Sequence, residues 1–272
     1  MDVSFDIFHS NILNEIKNLA QKNKFKEICG FIYLKNGKQY IYKSENISTD
    51  PKNFFTANLG DLELCTQIGK VIACFHSHTR NMTFTHEDIE NSFSLKLNYL
   101  LYVIPEDKFY FFDQEKHAYM KEYMNKKFNI EQLDCYDLLT SFYKNQLNIE
   151  LTSKDYEIKN MQIKDSIKNP YTLIPDEKNL EWLKRNNFYI LTREEMKKLK
   201  EYDILIIDGG DPNGGRRRYG KPTHFGIYLP NKMLLHHNYD HPKYGNRSIY
   251  ECYRKAHQRY VLYVIRHKSF IT

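Results

Sequence analysis

Cysteine is scarce in this sequence, and the few cysteines follow no pairing pattern. The 272 residues contain five of them, at positions 29, 65, 74, 135 and 252, and no CxxC pair. An odd number of isolated cysteines argues against a disulfide framework and against a structural zinc knuckle. Each cysteine therefore has to be interpreted from its neighbours.

Long apolar runs are also absent. The longest run is six residues, as over 99–104, far shorter than the roughly 18 residues of a membrane-spanning helix. The first residues also lack the basic and apolar segments of a signal peptide. We therefore expect no membrane span and synthesis in a cytoplasm. Hydrophobic residues make up 41% of the chain and charged residues 27%, as in globular proteins. At roughly 150 residues per domain, the length predicts about two domains.

Charge is distributed unevenly along the chain. Residues 1–118 carry 13 basic and 15 acidic side chains, whereas residues 119–272 carry 27 basic and 19 acidic ones. A basic second half favours an anionic partner, such as nucleic acid or bacterial cell wall. The basic residues are dispersed and no nucleic-acid recognition motif accompanies them, so we expect no nucleic-acid partner.

Hydrophobic periodicity divides the chain into two units. Over residues 1–116 it predicts a helix, a hairpin with Asn36-Gly37 at its turn, a helix, a strand, a helix and a second hairpin, which together form an α/β domain. The polar residues 117–130 are typical of a linker that is helical in part. Residues 131–272 predict an α+β domain, with a helix over 135–147, a polar helical region to about residue 201, and strands at 204–207, 225–229, 233–236 and 260–265.

The first unit contains a candidate metal site. His76 and His78 alternate at the end of a predicted strand, so both imidazoles leave the same face. Asp88 lies in the first turn of the next helix, and two imidazoles with one carboxylate and a position open to water form a catalytic zinc arrangement. Glu27, at the start of an earlier strand, is a candidate general base. Asp88 also fits a helix-capping box with Thr85, and rival ligands on composition are His86, Glu87 and Glu90.

These residues resemble the JAMM metalloprotease motif, Glu…His-x-His-Pro…Ser-x-x-Asp. The resemblance implies a deaminase-like α/β domain in which His76, His78 and Asp88 hold Zn²⁺. It also implies that Glu27 is the acid/base and that the Thr85 hydroxyl stabilises the oxyanion. Thr79 replaces the usual proline, and the spacing from the histidines to the threonine is one residue short. Both departures affect the loop rather than a ligand.

The second unit contains a candidate thiol site. Asp134 is a plausible N-cap, which places Cys135 in the first turn of a helix, where the macrodipole favours a thiolate. The candidate base is His224, at the entry of a predicted strand. If the following turn centres on residues 230–231, His224 lies opposite His236 or His237, and either ring can orient it.

Three segments of this unit resemble the NlpC-type cysteine peptidases, papain-like enzymes that cut cell-wall peptides. They are Asp134-Cys135-Tyr136-Asp137-Leu138, Tyr202-Asp203-Ile204 and His224-Phe225-Gly226-Ile227-Tyr228. The resemblance implies a catalytic Cys135 and His224 with His236 as the third residue. Tyr202 stands where glycine is usual, which affects a turn. The Gly-rich stretch 209–218 lacks the order of a phosphate loop and predicts an exposed loop.

The succession of the two units resembles the tail assembly protein K family of tailed bacteriophages. It implies a JAMM-like domain over 1–116, a linker over 117–130 and an NlpC-type domain over 131–272. It further implies a protein made in the host cytoplasm, with the virion tail tip as a second location. The expected activity is hydrolysis of amide bonds in peptidoglycan stem peptides or in another tail protein, with tail-tip proteins as partners. The alternatives are a non-catalytic tail-tip component and an isopeptidase that acts on a protein partner through the JAMM site.

Overall fold

The protein divides into two units, each built on its own β-sheet. The computed structural model describes residues 7–127, 134–152, 177–208, 224–241 and 243–270. One unit spans Met1–Ala118 and the other Tyr119–Thr272, and their sheets have five and six strands. The chain is thus a mixed α/β protein. Among the helices of the described ranges, none combines the length and the apolar character needed to cross a membrane.

The sheet of the first unit has the order β2-β1-β3-β4-β5. Only β3 and β4 pair in parallel, and the other neighbours are antiparallel. Helix α1 lays its apolar stripe, which includes Ile12 and Ile16, on a core that contains Phe75 and Leu100. The elements are α1 (Ser10–Lys22), β1 (Cys29–Lys35), β2 (Lys38–Ser44), α2 (Leu59–Ile68), β3 (Lys70–His78), α3 (His86–Leu95), β4 (Asn98–Val103) and β5 (Lys108–Phe112).

Helix α3 is the crossover between the parallel strands β3 and β4. A parallel pair cannot be joined by a tight turn, so the chain must leave the end of β3 and return through a helix. This geometry carries the start of α3 back past the carboxyl end of β3, where the strand finishes at His78. The crossover thus brings the two halves of the predicted metal motif to one edge of the sheet.

The sheet of the second unit is antiparallel throughout, in the order β10-β9-β8-β7-β11-β6. Helix α4 packs against β8 and β9. The elements are α4 (Cys135–Leu147), α5 (Glu177–Arg185), β6 (Phe188–Ile190), β7 (Ile204–Ile207), β8 (His224–Leu229), β9 (Met233–His241), β10 (Gly245–Cys252), α6 (Lys255–Gln258) and β11 (Val261–His267).

Two strands of this unit differ from the sequence-based prediction. The region predicted as helical up to residue 201 contains the short strand β6, which is too brief to show a period of two. Strand β10 was not predicted because its first half is polar, as suits the edge strand of a sheet. Residues 153–176 of the predicted helical region, and the Gly-rich stretch 209–218, lie outside the described residues.

Residues 119–127, predicted as part of a linker, pack on the second unit. Met120 and Tyr123 are buried, and the N–H of Asn125 donates to the carbonyl of Ser248 on β10 at 2.9 Å. A bridge between Lys127 and Arg247 continues the pairing. The segment therefore covers the open edge of the sheet at β10, which would otherwise present unpaired backbone groups.

A buried ion pair ties β11 to the turn before β7. The Nε of Arg266 donates to Oδ1 of Asp203 at 2.6 Å and its Nη2 to Oδ2 at 2.8 Å. The preceding residue, Tyr202, has φ +72°, the left-handed conformation in which glycine costs least. The turn before β7 therefore takes a conformation that favours glycine, and the packing of the Tyr202 ring beside Phe142 and Phe270 helps to hold Tyr202 there.

Candidate metal and thiol sites

The structure brings together the three predicted metal ligands. His76 and His78 share one face of β3, and Asp88 lies in the first turn of α3. Nε2 of His76 is 3.4 Å from Oδ1 of Asp88, and Nε2 of His78 is 3.6 Å from its Oδ2. All three residues are buried, and one ligand atom of each lies within 4.8 Å of the others. Within the described ranges this is the one group of histidine, cysteine and acidic side chains with a metal-binding arrangement.

Asp88 is held in place by the helix cap. Its Oδ2 accepts hydrogen bonds at 2.7 Å from both the backbone N–H and the hydroxyl of Thr85, and its own N–H donates to the Thr85 hydroxyl oxygen at 3.1 Å. Oδ2 is thus engaged by the protein, and Oδ1 faces His76. The hydroxyl proton of Thr85 is used to orient a ligand, as outer-shell partners of metal sites do. Its role toward an oxyanion stays a prediction.

The imidazoles of His76 and His78 differ in their hydrogen bonds. Nδ1 of His78 lies 2.9 Å from the carbonyl of Met82, so Nδ1 carries the proton that it donates and Nε2 is left as an acceptor facing Asp88. His76 is completely buried, and neither of its ring nitrogens has a hydrogen-bond partner among the described residues. Phe55 stacks on the His76 ring with centroids 4.2 Å apart. Buried polar atoms are nearly always paired, and a metal ion would bond one of these nitrogens, the Nε2 that faces Asp88.

A divalent metal ion fits this donor set. Zinc takes imidazole nitrogen and carboxylate oxygen at about 2.0–2.1 Å in a tetrahedral arrangement, which separates neighbouring ligand atoms by about 3.3 Å. The observed separations of 3.4 and 3.6 Å are close to that value. Although burial by itself would raise the pKa of Asp88, the rings of His76 and His78 hold that pKa below its usual range. Burial lowers the pKa of His78 to about 4. Both ligands are therefore deprotonated at neutral pH.

Glu27 lies beside the metal group. Cys29 pairs with His76 across β1 and β3, and both the N–H and the carbonyl of Ile28 are hydrogen-bonded to Ser77. Continuing this register places Glu27 opposite His78 and on the face of the two imidazoles. The side chain is buried, and burial followed by the negative charge of Asp88 raises the pKa of Glu27 to about 9. Without a cation the carboxyl group is protonated at neutral pH.

The loop after β2 is fastened to the backbone of Glu27. The Glu27 N–H donates to the carbonyl of Pro51 at 2.7 Å, and Nδ2 of Asn46 donates to the Glu27 carbonyl at 2.9 Å. The Thr79 hydroxyl, in the position of the usual proline, donates to the carbonyl of Lys52 at 2.9 Å. The loop that carries Phe55 is therefore attached to both sides of the metal group.

The rival ligands are separate from this group. His86 and Glu90 face each other along α3, with Nε2 and Oε1 3.6 Å apart. Neither belongs to the cluster of His76, His78 and Asp88, and Glu87 does not either. Composition alone allowed any of these residues to be the third ligand. Their positions on α3 select Asp88.

In the second unit, Cys135 begins α4 as predicted. Asp134 caps the helix, because its Oδ1 accepts from the N–H groups of Tyr136 at 2.8 Å and Asp137 at 3.0 Å. None of the five cysteines, all of which lie in described parts of the chain, forms a disulfide. Cys135 is buried, with 8% of its surface exposed, at the terminus where a helix stabilises negative charge.

The two predicted histidines contact each other across strands β8 and β9. Nε2 of His224 lies 2.9 Å from Nδ1 of His236. The register is Gly226↔His236, so His236 is a diagonal neighbour of His224 rather than its direct partner. The prediction of a directly opposite pair was wrong because the turn contains a three-residue 3₁₀ segment, Pro230–Lys232. The rings still meet because residues two apart share a face.

The start of α4 lies beside these histidines. The Tyr136 ring packs against Phe225 with centroids 6.2 Å apart, and His237 lies against the backbone of Asp134. The neighbours of Cys135 on both sides therefore contact the neighbours of His224 and His236. His237, which the sequence offered as the alternative partner of His224, is buried on β9.

Sequence reasoning missed two further residues of this site. Nε2 of His236 lies 2.7 Å from Oε1 of Glu251 on β10, and Nε2 of His257 on α6 lies 3.2 Å from the same oxygen. Ile249 pairs with His236, so Glu251 is again a diagonal neighbour. If β10 had been predicted as the strand next to β9, the two-residue offset between Ile249 and Glu251 would have identified Glu251 as a partner of His236.

No protein-family model matches the chain, and no curated protein matches it. The geometry and chemistry of the residues themselves are therefore what supports a role for each site.

Proposed function

We propose that the chain is a phage tail-tip assembly protein with two peptidase sites. One would be a JAMM-like zinc site in the first unit, and the other an NlpC-type thiol site in the second. The proposed substrates are amide bonds of peptidoglycan stem peptides or of another tail protein. The protein would be made in the host cytoplasm and act there or at the virion tail tip.

The observation that carries the proposal is the 2.9 Å contact between His224 and His236 beside the helix that begins at Cys135. A thiol needs a base, and that base needs an orienting partner, for nucleophilic catalysis. The three groups come from α4, β8 and β9, and ordinary packing of a hydrophobic core does not require two histidines in contact there. The geometry therefore favours a thiol peptidase over a purely structural role.

The proposed thiol reaction needs no group from outside the chain except substrate and water. The Sγ–H bond of Cys135 breaks and its proton passes to His224. The sulfur then bonds to the amide carbonyl carbon, the imidazolium returns the proton to the leaving nitrogen, and the C–N bond breaks. Water, deprotonated by His224, hydrolyses the resulting thioester and restores the thiol.

In the first unit, His76, His78 and Asp88 would hold the metal ion. When bound, zinc supplies Lewis-acid polarisation of a carbonyl group or a water molecule. Glu27 would take up a proton on its carboxylate and return it to the leaving nitrogen, since its register places it on the face of the ligands. Thr85 would hold Asp88 through the two hydrogen bonds to Oδ2.

The test of the thiol half is digestion of purified peptidoglycan, with release of stem peptides followed by mass spectrometry. Cys135→Ala should reduce release at least about 1,000-fold, because removal of a nucleophile leaves only residual catalysis. Cys252→Ala, at another buried cysteine of the same unit, is the matched control and should retain activity. If Cys135→Ala cuts as well as the parent, the assignment is wrong. If the parent cuts neither peptidoglycan nor tail proteins, the non-catalytic alternative replaces it.

The test of the metal half is elemental analysis of the protein after purification without chelators. We expect about one zinc per chain, lost in the His76→Ala/His78→Ala double variant. His86→Gln is the control, because His86 is the rival ligand on α3 and should leave the zinc content unchanged. A protein that contains no zinc and takes none up from zinc chloride would contradict this half of the proposal.

A further inference from the structure

The contacts of the thiol site continue past the three predicted residues. From β8 to β10 they run from His224 to His236 at 2.9 Å and from His236 to Glu251 at 2.7 Å. Nε2 of His257 lies 3.2 Å from the same carboxylate oxygen. The partners are diagonal neighbours on three adjacent strands, so the regular spacing of the sheet sets the geometry of the whole series.

The proton positions in this series can be derived from one fixed donor. The backbone N–H of Arg254 donates to Nδ1 of His257 at 2.9 Å, and a backbone N–H can only donate. Nδ1 of His257 is therefore an acceptor, and the ring of neutral His257 must carry its proton on Nε2. That proton faces Oε1 of Glu251.

Glu251 is ionised in this environment. Burial alone would raise the pKa of its carboxyl group, but the hydrogen bonds from His236 and His257 outweigh burial and hold the pKa well below its usual range. An ionised carboxylate only accepts hydrogen bonds. Nε2 of His236 must then carry a proton and donate it to Glu251.

The position of the proton on His236 determines the tautomer of His224. With the proton of neutral His236 on Nε2, its Nδ1 can only accept, so Nε2 of His224 is the donor across the 2.9 Å contact. Neutral His224 is thereby left with an unprotonated Nδ1, the atom that a general base needs. Burial lowers the pKa of His224 well below its usual range, His236 and His237 on β9 lower it further, and Glu251 on β10 acts in the opposite direction. Helix α4, which packs against β8, carries the titratable groups Asp134, Cys135 and Asp137 in its N-cap and first turn.

We propose that Glu251, held by His257, is a positioning residue that selects this proton arrangement and stabilises the imidazolium of His224 when the Cys135 proton arrives. The inference rests on the proposed thiol activity and extends it to two residues that touch no reacting atom. The proton moves from Sγ of Cys135 to Nδ1 of His224, and the sulfur keeps the electron pair. The carboxylate lies one imidazole away from the new positive charge.

The experiment measures alkylation of Cys135 by iodoacetamide from pH 4 to 10 in the full chain, quantified on the Cys135 peptide by mass spectrometry. Glu251→Gln keeps the size of the side chain and removes its charge. Loss of an anion near a cation disfavours that cation, so the midpoint of the alkylation profile should move up by about one pH unit. His257→Phe, which keeps a ring to stack on Tyr253, should move the midpoint in the same direction by less.

The matched control is Glu195→Gln. This carboxylate lies in the same unit and accepts hydrogen bonds from the N–H and hydroxyl of Thr192, away from the histidines. Its removal should leave the midpoint unchanged, and the fluorescence of Trp182 verifies that each variant is folded. If Glu251→Gln does not fold, the decision passes to His257→Phe. Superimposable profiles for the parent and the folded variants would overturn the inference.

Hydrolysis separates this inference from the proposed function. If the parent releases stem peptides and Glu251→Gln gives the same dependence of kcat/KM on pH, the positioning role is wrong and the peptidase stands. If the alkylation midpoint shifts while the parent hydrolyses no peptide, the positioning role stands and the proposed function is wrong.

Discussion

The two units handle buried histidines in opposite ways. In the first, His76 is completely buried and its ring nitrogens have no hydrogen-bond partner in the part of the chain that the structure describes. In the second, His224 and His236 bond to each other, and the series ends on a carboxylate. His76 thus has polar atoms that no described residue satisfies, whereas the series of the second unit is hydrogen-bonded within the chain.

The difference indicates what holds the side chains of each site in position. The donor groups of a metal site are costly to bury until an ion binds them, so metal binding and local stability are linked. A hydrogen-bonded series in a sheet is ordered by the sheet itself. We therefore expect the first unit to respond to metal ions and the second to respond to changes in its own charged residues.

The largest effect should come from the buried ion pair of the second unit. Arg266→Leu leaves the fully buried Asp203 without its partner, and such a loss costs about 3–5 kcal/mol of the free energy of unfolding. Urea unfolding followed by Trp182 fluorescence measures it, because the single tryptophan lies in this unit. Lys197→Leu, which removes an exposed partner of Glu194, is the control and should leave the midpoint in place. A similar shift in both variants would contradict this account.

Metal addition should stabilise the first unit selectively. Zinc at about 1,000 times its dissociation constant adds about 4 kcal/mol to the stability of the state that binds it. Hydrogen exchange measured on peptides from β3 and α3 should slow accordingly, while the Trp182 transition stays in place. Equal protection of the His76→Ala/His78→Ala variant, or an equal shift of the Trp182 transition, would break the comparison between the units.

Glu27 should make the metal-free protein less stable at alkaline pH. Its folded-state pKa of about 9 exceeds that of the unfolded chain, so between pH 7 and 9 the native state holds a proton that the unfolded state has lost. Stability then falls by up to about 1.4 kcal/mol per pH unit, or about 2–3 kcal/mol over this range. Hydrogen exchange of β1 and β3 peptides in chelator measures the slope. Glu27→Gln should be flatter than the parent, and parallel slopes would exclude this role.

The smallest effect should come from the cap of α3. Thr85→Val removes the hydroxyl that bonds Asp88, which costs about 1 kcal/mol as the loss of an N-cap. It should also weaken zinc binding by about tenfold or more, as loss of an outer-shell partner does. Competition with a fluorescent zinc chelator measures the affinity. Thr85→Ser keeps the hydroxyl and should bind like the parent, so equal weakening in both variants would show that the hydroxyl is not responsible.

The sequence predicted the local parts of both sites well, and the reasons are short-range. Alternation places His76 and His78 on one face, and a helix start defines the positions of Asp88 and Cys135. Each of these signals depends only on neighbours in the chain. The Asn36-Gly37 turn joined β1 and β2 for the same reason: both residues take positive φ, as a tight hairpin turn requires.

The residues that sequence reasoning missed depend on pairing over long distances. Glu251 meets His236 only because β10 lies beside β9, and the polar first half of β10 concealed that strand. The register of His224 differed from prediction because the three-residue turn Pro230–Lys232 moves the position opposite His224 from 236 or 237 to 238. The burial of His237 likewise depends on α4 packing above the sheet.

The amino-acid sequence alone therefore determined which chemical groups are available and on which local element each lies, because propensity, alternation and capping act over a few residues. Only the tertiary structure decided which of these groups meet. It selected Asp88 over His86, Glu87 and Glu90, and it added Glu251 and His257 to the thiol site. Strand register and helix packing set those distances, and both are properties of the whole folded unit.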